Sequence, residues 1–338
     1  TRWKLVPSDK EAYLRGELVE PEEPIIYYLD PATPEKWRKY LIQGIEDWNV
    51  AFEAAGFKNA IIGKEAPSPE EDPEFSPEDV RYSVIRYITN PIQNAQGPHV
   101  HDPRTGQILE SDILWYHNVM NLLRNWYFIQ TAAVNPEARN VDFDTELMGE
   151  LVRFVAAHEV GHTLGLPHNM GSSVGYTVEQ LRDPEFTSTH GVAPSIMDYA
   201  RFNYVAQPGD GVTNFFPMVG EYDIWSIKWG YSWFPDVEEA DDENEEVLLE
   251  RDELAVAQRL REHRERVAHR GRDAVVVHGH ALHRERLERA LEPRGAAEAR
   301  RREEEELREV RPRREPVQDR LLAHLGLRDL GELAARAL

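Results

Sequence analysis

The chain is 338 residues long and carries 61 acidic against 39 basic side chains, a formal net charge of −22. That balance argues against a nucleic-acid binder, because neutralising phosphates needs a basic surface, and no stretch approaches the roughly 18–20 apolar residues of a membrane-spanning helix. The absence of cysteine excludes disulfides, thiolate zinc sites and a cysteine nucleophile, while 41% hydrophobic residues leave enough apolar side chains for a globular core.

The sequence opens at Thr1 without a secretory leader, as an excerpt or a processed form would. Pro24–Asp30 and Val80–Thr89 are rich in β-branched and aromatic residues and predict strands. Between them, Thr33 can cap a helix that has Pro34 in its first turn, carries Trp37, Leu41, Ile45, Trp48 and Phe52 at three- and four-residue spacing and stops at Gly56. Asn59–Gly63 reads as a short strand. Arg104-Thr105-Gly106 makes a turn before another strand, Gln107–Tyr116. His117–Ala133 reads as a helix, and Asp144 can cap the next one, with Leu147, Leu151, Phe154 and Val155 on one face. The class is mixed α/β.

That last helix runs into His158-Glu159-Val160-Gly161-His162-Thr163-Leu164-Gly165-Leu166-Pro167-His168. Four residues apart on a helix, His158 and His162 project from one face and can ligate one ion. Glu159 lies beside them, within reach of a water on the metal. A helix running straight on would carry its next residues away. Gly165 allows the positive φ that ends the helix sharply and returns His168 as third ligand. Three imidazoles leave one position open for water, as a catalytic zinc needs and a structural zinc does not. The bland alternative is a helix with surface histidines and a glycine cap. Chance produces the whole string on the order of 10⁻⁴ times per chain of this composition, so the zinc reading prevails.

The string resembles the signature of the metzincin clan of zinc endopeptidases, and the clan's second signature is similar to Ser195-Ile196-Met197-Asp198-Tyr199, where Met197 follows His168 by 29 residues. The resemblance implies a Met-turn with Met197 supporting the zinc ligands, and a place near the metal for Tyr199. Asp223–Tyr231 resembles the clan's final helix. Gly44–Asn49, Asp102–Gly106 and Asn203–Pro208 are similar to phrases of a family of large bacterial envelope metalloproteases. The likeness spans about residues 20–235. Asn169, after the third ligand, places the chain in none of the better-known subfamilies.

By resemblance the fold is a metzincin-like α/β (α+β) arrangement: a twisted mixed sheet with long helices above, then the Met-turn and the C-terminal helix below. Substrate would lie extended between the halves, paired with an edge strand. Gln107–Tyr116 is the candidate for that edge, an interior strand being its alternative. The implied activity is hydrolysis of internal peptide bonds of protein or peptide substrates by zinc-activated water, with Glu159 as general base and Tyr199 near the developing oxyanion. The rival from another class is a non-catalytic scaffold that keeps zinc for stability. The resemblance also implies an extracytoplasmic location, in a bacterial envelope or secreted.

Two weaker signals have ordinary accounts beside the functional one. His99, His101, Asp102 and His117 could hold a second metal, but loop histidines beside Gly97 and Pro98 are commoner. Asp210 could help bind calcium, but a glycine-rich turn explains it more simply.

The chain then changes character. Residues 1–250 hold 18 basic and 43 acidic groups, whereas 251–338 hold 21 arginines against 18 acidic groups and no Lys, Ile, Met, Phe, Tyr, Trp, Ser, Thr or Asn. The expected organisation is a leading segment at 1–20, a catalytic domain at 21–236, an acidic linker at 237–250 and an Arg/Glu-rich tail, helical or disordered, at 251–338.

Overall fold

The computed structural model describes residues 1–235, so the expected linker and tail lie outside the described residues. In chain order, α1 (Lys10–Leu14) precedes β1 (Ile25–Leu29), and α2 (Glu35–Glu46) and α3 (Asn49–Ala54) lead to β2 (Ile61–Glu65). Then come β3 (Ser83–Ile88), β4 (Ala95–Gln96), β5 (Val100–His101), β6 (Ile108–Glu110) and β7 (Ile113–Tyr116), followed by α4 (Val119–Thr131) and α5 (Thr145–Thr163). After α5 the regular elements are short: α6 (Val178–Leu181), α7 (Pro184–His190) and finally α8 (Glu221–Tyr231). Among the described residues no helix is long and apolar enough to cross a membrane.

The main sheet is mixed, in the order β2-β1-β3-β7-β4. Its first three pairings are parallel, in registers that set Ile25 beside Ile61 and Ile85 beside Ile113. Only β4 runs antiparallel, pairing Ala95 with Trp115. A separate ribbon joins β5 to β6. Alternation along β1 buries Ile25, Tyr27 and Leu29 and leaves Tyr28 half-buried.

The sheet-side core closes because α2 and α5 approach closely. A side chain at Gly44 would bring a Cβ within 2.6 Å of the Arg153 carbonyl oxygen, and one at Gly149 would run into the Tyr40 ring. Fully buried Trp48 donates its indole N–H to the Ala157 carbonyl at 2.8 Å, tying the end of α2 to the middle of α5. Residues 1–20 belong to the same core: Leu5, Ala12 and Val19 are buried in it, and Trp3 donates to the Thr163 carbonyl at the end of α5.

Three sequence expectations change. The single helix predicted through Phe52 is interrupted at Asp47 and Trp48 and resumes as α3, whose first residue, Asn49, turns its side chain to the start of β2. Its amide donates to the Ile61 carbonyl at 2.9 Å and its oxygen accepts from the Ala60 and Ile61 N–H groups. Thr33 does not cap that helix; it is buried with its hydroxyl unpartnered, and the cap position falls on Pro34. Gln107–Tyr116 is not one strand and not an edge. Ser111, whose N–H donates to the Ser83 hydroxyl at 3.0 Å, interrupts it, and β7 lies inside the sheet between β3 and β4. The edge is β4.

Candidate metal centre

Helix α5 starts where its capping chemistry says it should. The Asp144 carboxylate accepts the Leu147 N–H at 2.8 Å. The helix is buried over most of its length, and the His158 and His162 side chains leave it one turn apart, with ring centroids 4.9 Å from each other. At Gly165, φ is +88°, and the Leu166 N–H closes on the Gly161 carbonyl at 3.1 Å. That reversal returns His168, whose ring lies 4.6 Å from His162 and stacks 5.4 Å from His158.

One ring nitrogen from each of the three histidines lies within 4.8 Å of the others. Their tautomers follow from the neighbours. His158 Nδ1 is 2.8 Å from the Ile196 carbonyl and His162 Nδ1 is 2.9 Å from the Leu166 carbonyl. A carbonyl can only accept, so both Nδ1 atoms carry the proton and both Nε2 lone pairs are free. His162 Nε2 faces His168 Nε2 at 3.0 Å. Burial lowers the pKa of all three rings, for His158 to about 4. Three neutral imidazoles with convergent lone pairs suit zinc, and His158, His162 and His168 are the residues that would hold it.

Beside them Glu159 is buried, which pushes its pKa up to about 7 while the Gly97 N–H, bonded to its carboxylate, pulls the other way. Gly97 follows β4 directly and must be bare, since a Cβ there would lie 2.5 Å from the Glu159 carbonyl. An open cleft of about 790 Å³ runs between this edge, from Asn94 to His99, and the wall formed by Glu159, His162, His168 and Tyr199.

Under the histidines, Ser195–Tyr199 makes a tight turn. Met197 is buried against α5 at Gly161, where a Cβ would strike its sulfur. The Met197 carbonyl accepts from Asn169 N–H at 2.9 Å, so the same turn holds the residue after His168. Tyr199 places its ring 4.3 Å from His168. A zinc-type histidine set thus lies beside a methionine turn. Residues 140–263 match the family model described as DUF4953, Met-zincin. They carry a Met-zincin domain. No curated protein and no solved structure matches the chain. The match and the histidine cluster together support a zinc metallopeptidase.

One residue that organises the Met-zincin site escaped the sequence reading of roles. Asp223 on α8 is fully buried and accepts three hydrogen bonds, from Ser195 hydroxyl at 2.6 Å, Ile196 N–H at 2.7 Å and Gly220 N–H at 2.9 Å. It therefore holds the segment whose Ile196 carbonyl orients His158. An acidic residue near the start of a helix looks like dipole complementarity in sequence, and only contact shows its target.

Other candidates are placed elsewhere. His117 Nδ1 lies 2.5 Å from the Tyr87 hydroxyl, and Asp102 pairs with Arg104 at 2.7 Å. The His99 and His101 rings sit 5.5 Å apart at the rim, with His99 facing Thr1. Asp210 is taken up by Arg182, both N···O distances being 2.8 Å, which with the Gln207 N–H holds its pKa down to about 2. This is an ion pair closing a turn; it has no resemblance to a calcium cage of six to eight oxygens.

Proposed function

We propose that the chain is a zinc-dependent endopeptidase that hydrolyses internal peptide bonds of protein or peptide substrates. The observation that carries this reading is the shared cleft: Glu159 and two of the convergent histidines, His162 and His168, face the same open groove. Along that groove β4 has no further strand on its outer side among the described residues. An extended peptide can add to such an edge by main-chain hydrogen bonds, which recognise backbone and leave the chain free to run out of both ends.

When bound, zinc supplies a Lewis acid that polarises a carbonyl and lowers the pKa of water towards about 7. Glu159 is placed to take a proton from that water on a carboxylate oxygen and to return it to the leaving amine. Its burial raises its affinity for a proton. Tyr199, 44% exposed, presents its ring beside His168 at the cleft, where its hydroxyl can donate to the oxygen that gains charge. An extracytoplasmic location accompanies this proposal and rests on the sequence resemblance.

Glu159→Ala tests the reading. The variant should bind zinc as the parent does and lose about 10²–10⁴-fold in kcat on a peptide substrate. His168→Ala should lose metal and His99→Ala should keep it. A parent protein that holds zinc and cleaves nothing would be a zinc-stabilised scaffold.

A further inference from the structure

Directly after the Met-turn, Arg201 enters a small cavity of about 60 Å³ beside the metal centre, shared with Trp126, Phe154, Val155, His158 and Glu159. The cavity and the open cleft share Asn94, Ala95, Glu159 and Tyr199 as lining, so they adjoin at the same side chains. Half of the cavity's lining residues are apolar, its two carboxylates are Glu159 and Asp198, and its one guanidinium is that of Arg201. Two ring systems hold it: the guanidinium carbon lies 3.3 Å over the centre of Trp126 and 4.7 Å from that of Tyr199. Stacking occupies the faces of a guanidinium and leaves its N–H groups, which lie in the plane, to meet a partner.

No such partner comes from the described residues, where Arg201 has neither an ion pair nor a side-chain hydrogen bond. Two acids border the same cavity: Glu159, which the peptidase reading assigns to proton transfer, and Asp198, which is committed elsewhere. Its Oδ2 accepts from the Ser172 hydroxyl at 3.0 Å and the Ser173 N–H at 2.8 Å. Other partly buried arginines of the chain are matched: Arg86 meets Asp112 and Glu78, and Arg153 meets Asp47. Arg201 is also held at φ +58°, in the left-handed region that a residue with a Cβ adopts only under strain. Buried Phe202 pins it there by donating its N–H to Gln130. A strained backbone thus keeps an unpaired cation next to the reacting groups.

We propose that Arg201 binds a substrate carboxylate beside the scissile bond, so that the site selects an acidic residue, aspartate ahead of glutamate, at a position flanking the cleavage point. This rests on the peptidase reading above and names its substrate class. The planar fork matches a carboxylate in bidentate fashion, and the aromatic walls exclude the water that would weaken the pair. The cavity's size suits a short side chain and rejects an aromatic one.

The test uses matched peptides carrying Asp, Asn, Glu or Lys at each of the two positions flanking the cleaved bond, with blocked and with free C-termini, on the zinc-loaded full chain. At one of these positions Asp should exceed Asn by about 10- to 100-fold in kcat/KM, the difference lying mainly in KM. Arg201→Gln should bring that ratio to within about threefold of unity, and Arg201→Glu should prefer Lys to Asp. Zinc content and melting midpoint establish that both variants fold. A second arm measures binding of the same peptides to Glu159→Gln protein by calorimetry, with and without Arg201→Gln. If the parent hydrolyses no peptide the peptidase reading fails, while this arm still reads the carboxylate preference. An Asp:Asn ratio near one in both arms would overturn the proposal. So would an equal loss of kcat for both peptides in Arg201→Gln with KM unmoved, which marks a transition-state role. A preference that vanishes when the C-terminus is blocked would also overturn it, since Arg201 would then read a chain end and not an acidic side chain.

Discussion

The two sides of the metal centre are built by different means. Before Gly165, backbone groups are satisfied by ladders: four adjacent pairings in one sheet, and a 19-residue helix whose apolar surface is buried against α2. Between Gly165 and α8 the longest helix has seven residues, and side chains take over. Asn203 donates to the Leu181 carbonyl at 2.7 Å and accepts from two N–H groups of its own turn, and Asn214 donates to the Thr187 carbonyl at 2.7 Å. Asp223 does the same for Ser195 and Ile196. A ladder spreads its strength over many equivalent bonds, whereas a polar hub concentrates it in one residue. Two zinc-type ligands come from the first kind of structure and one from the second. The metal centre is where they are joined.

The difference can be broken most sharply at Asp223. Asp223→Ala strands one hydroxyl and two backbone N–H groups in a buried site, and should cost about 3–5 kcal/mol, seen as a loss of zinc affinity and of the denaturation midpoint. An exposed ion pair on the ladder side, Arg38 with Glu65, gives the contrast. Glu65→Ala should cost under about 1 kcal/mol. Equal effects at the two positions would mean that the irregular half is not hub-built.

Metal removal should come next. A chelator ought to lower the melting midpoint by roughly 10 °C, because zinc at 1,000 times its dissociation constant contributes about 4 kcal/mol to a folded state that alone binds it. The loss should show first in hydrogen exchange after Gly165. Uniform exchange across both halves would contradict a seam there.

Gly161→Ala places a methyl group into the Met197 sulfur and 2.7 Å from the Trp48 ring. Overpacking of this kind costs about 1–3 kcal/mol, whereas Met197→Leu, which conserves volume, should cost less than about 1.5 kcal/mol. Denaturant titration separates the two, and a harmless Gly161→Ala would show that the Met-turn yields easily. The smallest effect is expected from ending the chain at Glu250, which should keep zinc and peptide cleavage near parental levels; unfolding of the shortened protein would move the domain boundary downstream.

Sequence alone determined the features written in local spacing. His158 and His162 share a helix face because the helical period is close to four, Gly165 turns the chain because it has no Cβ, and Asp144 caps because its side chain reaches its own N–H groups. The strands at β1 and β3 were legible from their β-branched and aromatic residues, and the final helix from its resemblance to that of the metzincin clan. Tertiary structure alone decided what depends on residues far apart in the chain. Asn49 turns its side chain to the backbone of Ala60 and Ile61 where a periodic helix is interrupted. β4, two residues long, becomes the open edge, while the apolar run ending at Tyr116 is covered on both sides. Asp223 governs the Met-turn across 27 residues, and Arg201 meets Trp126 across 75 residues. A hydrogen-bond partner or an empty cavity belongs to the fold, and no window of neighbouring residues contains it.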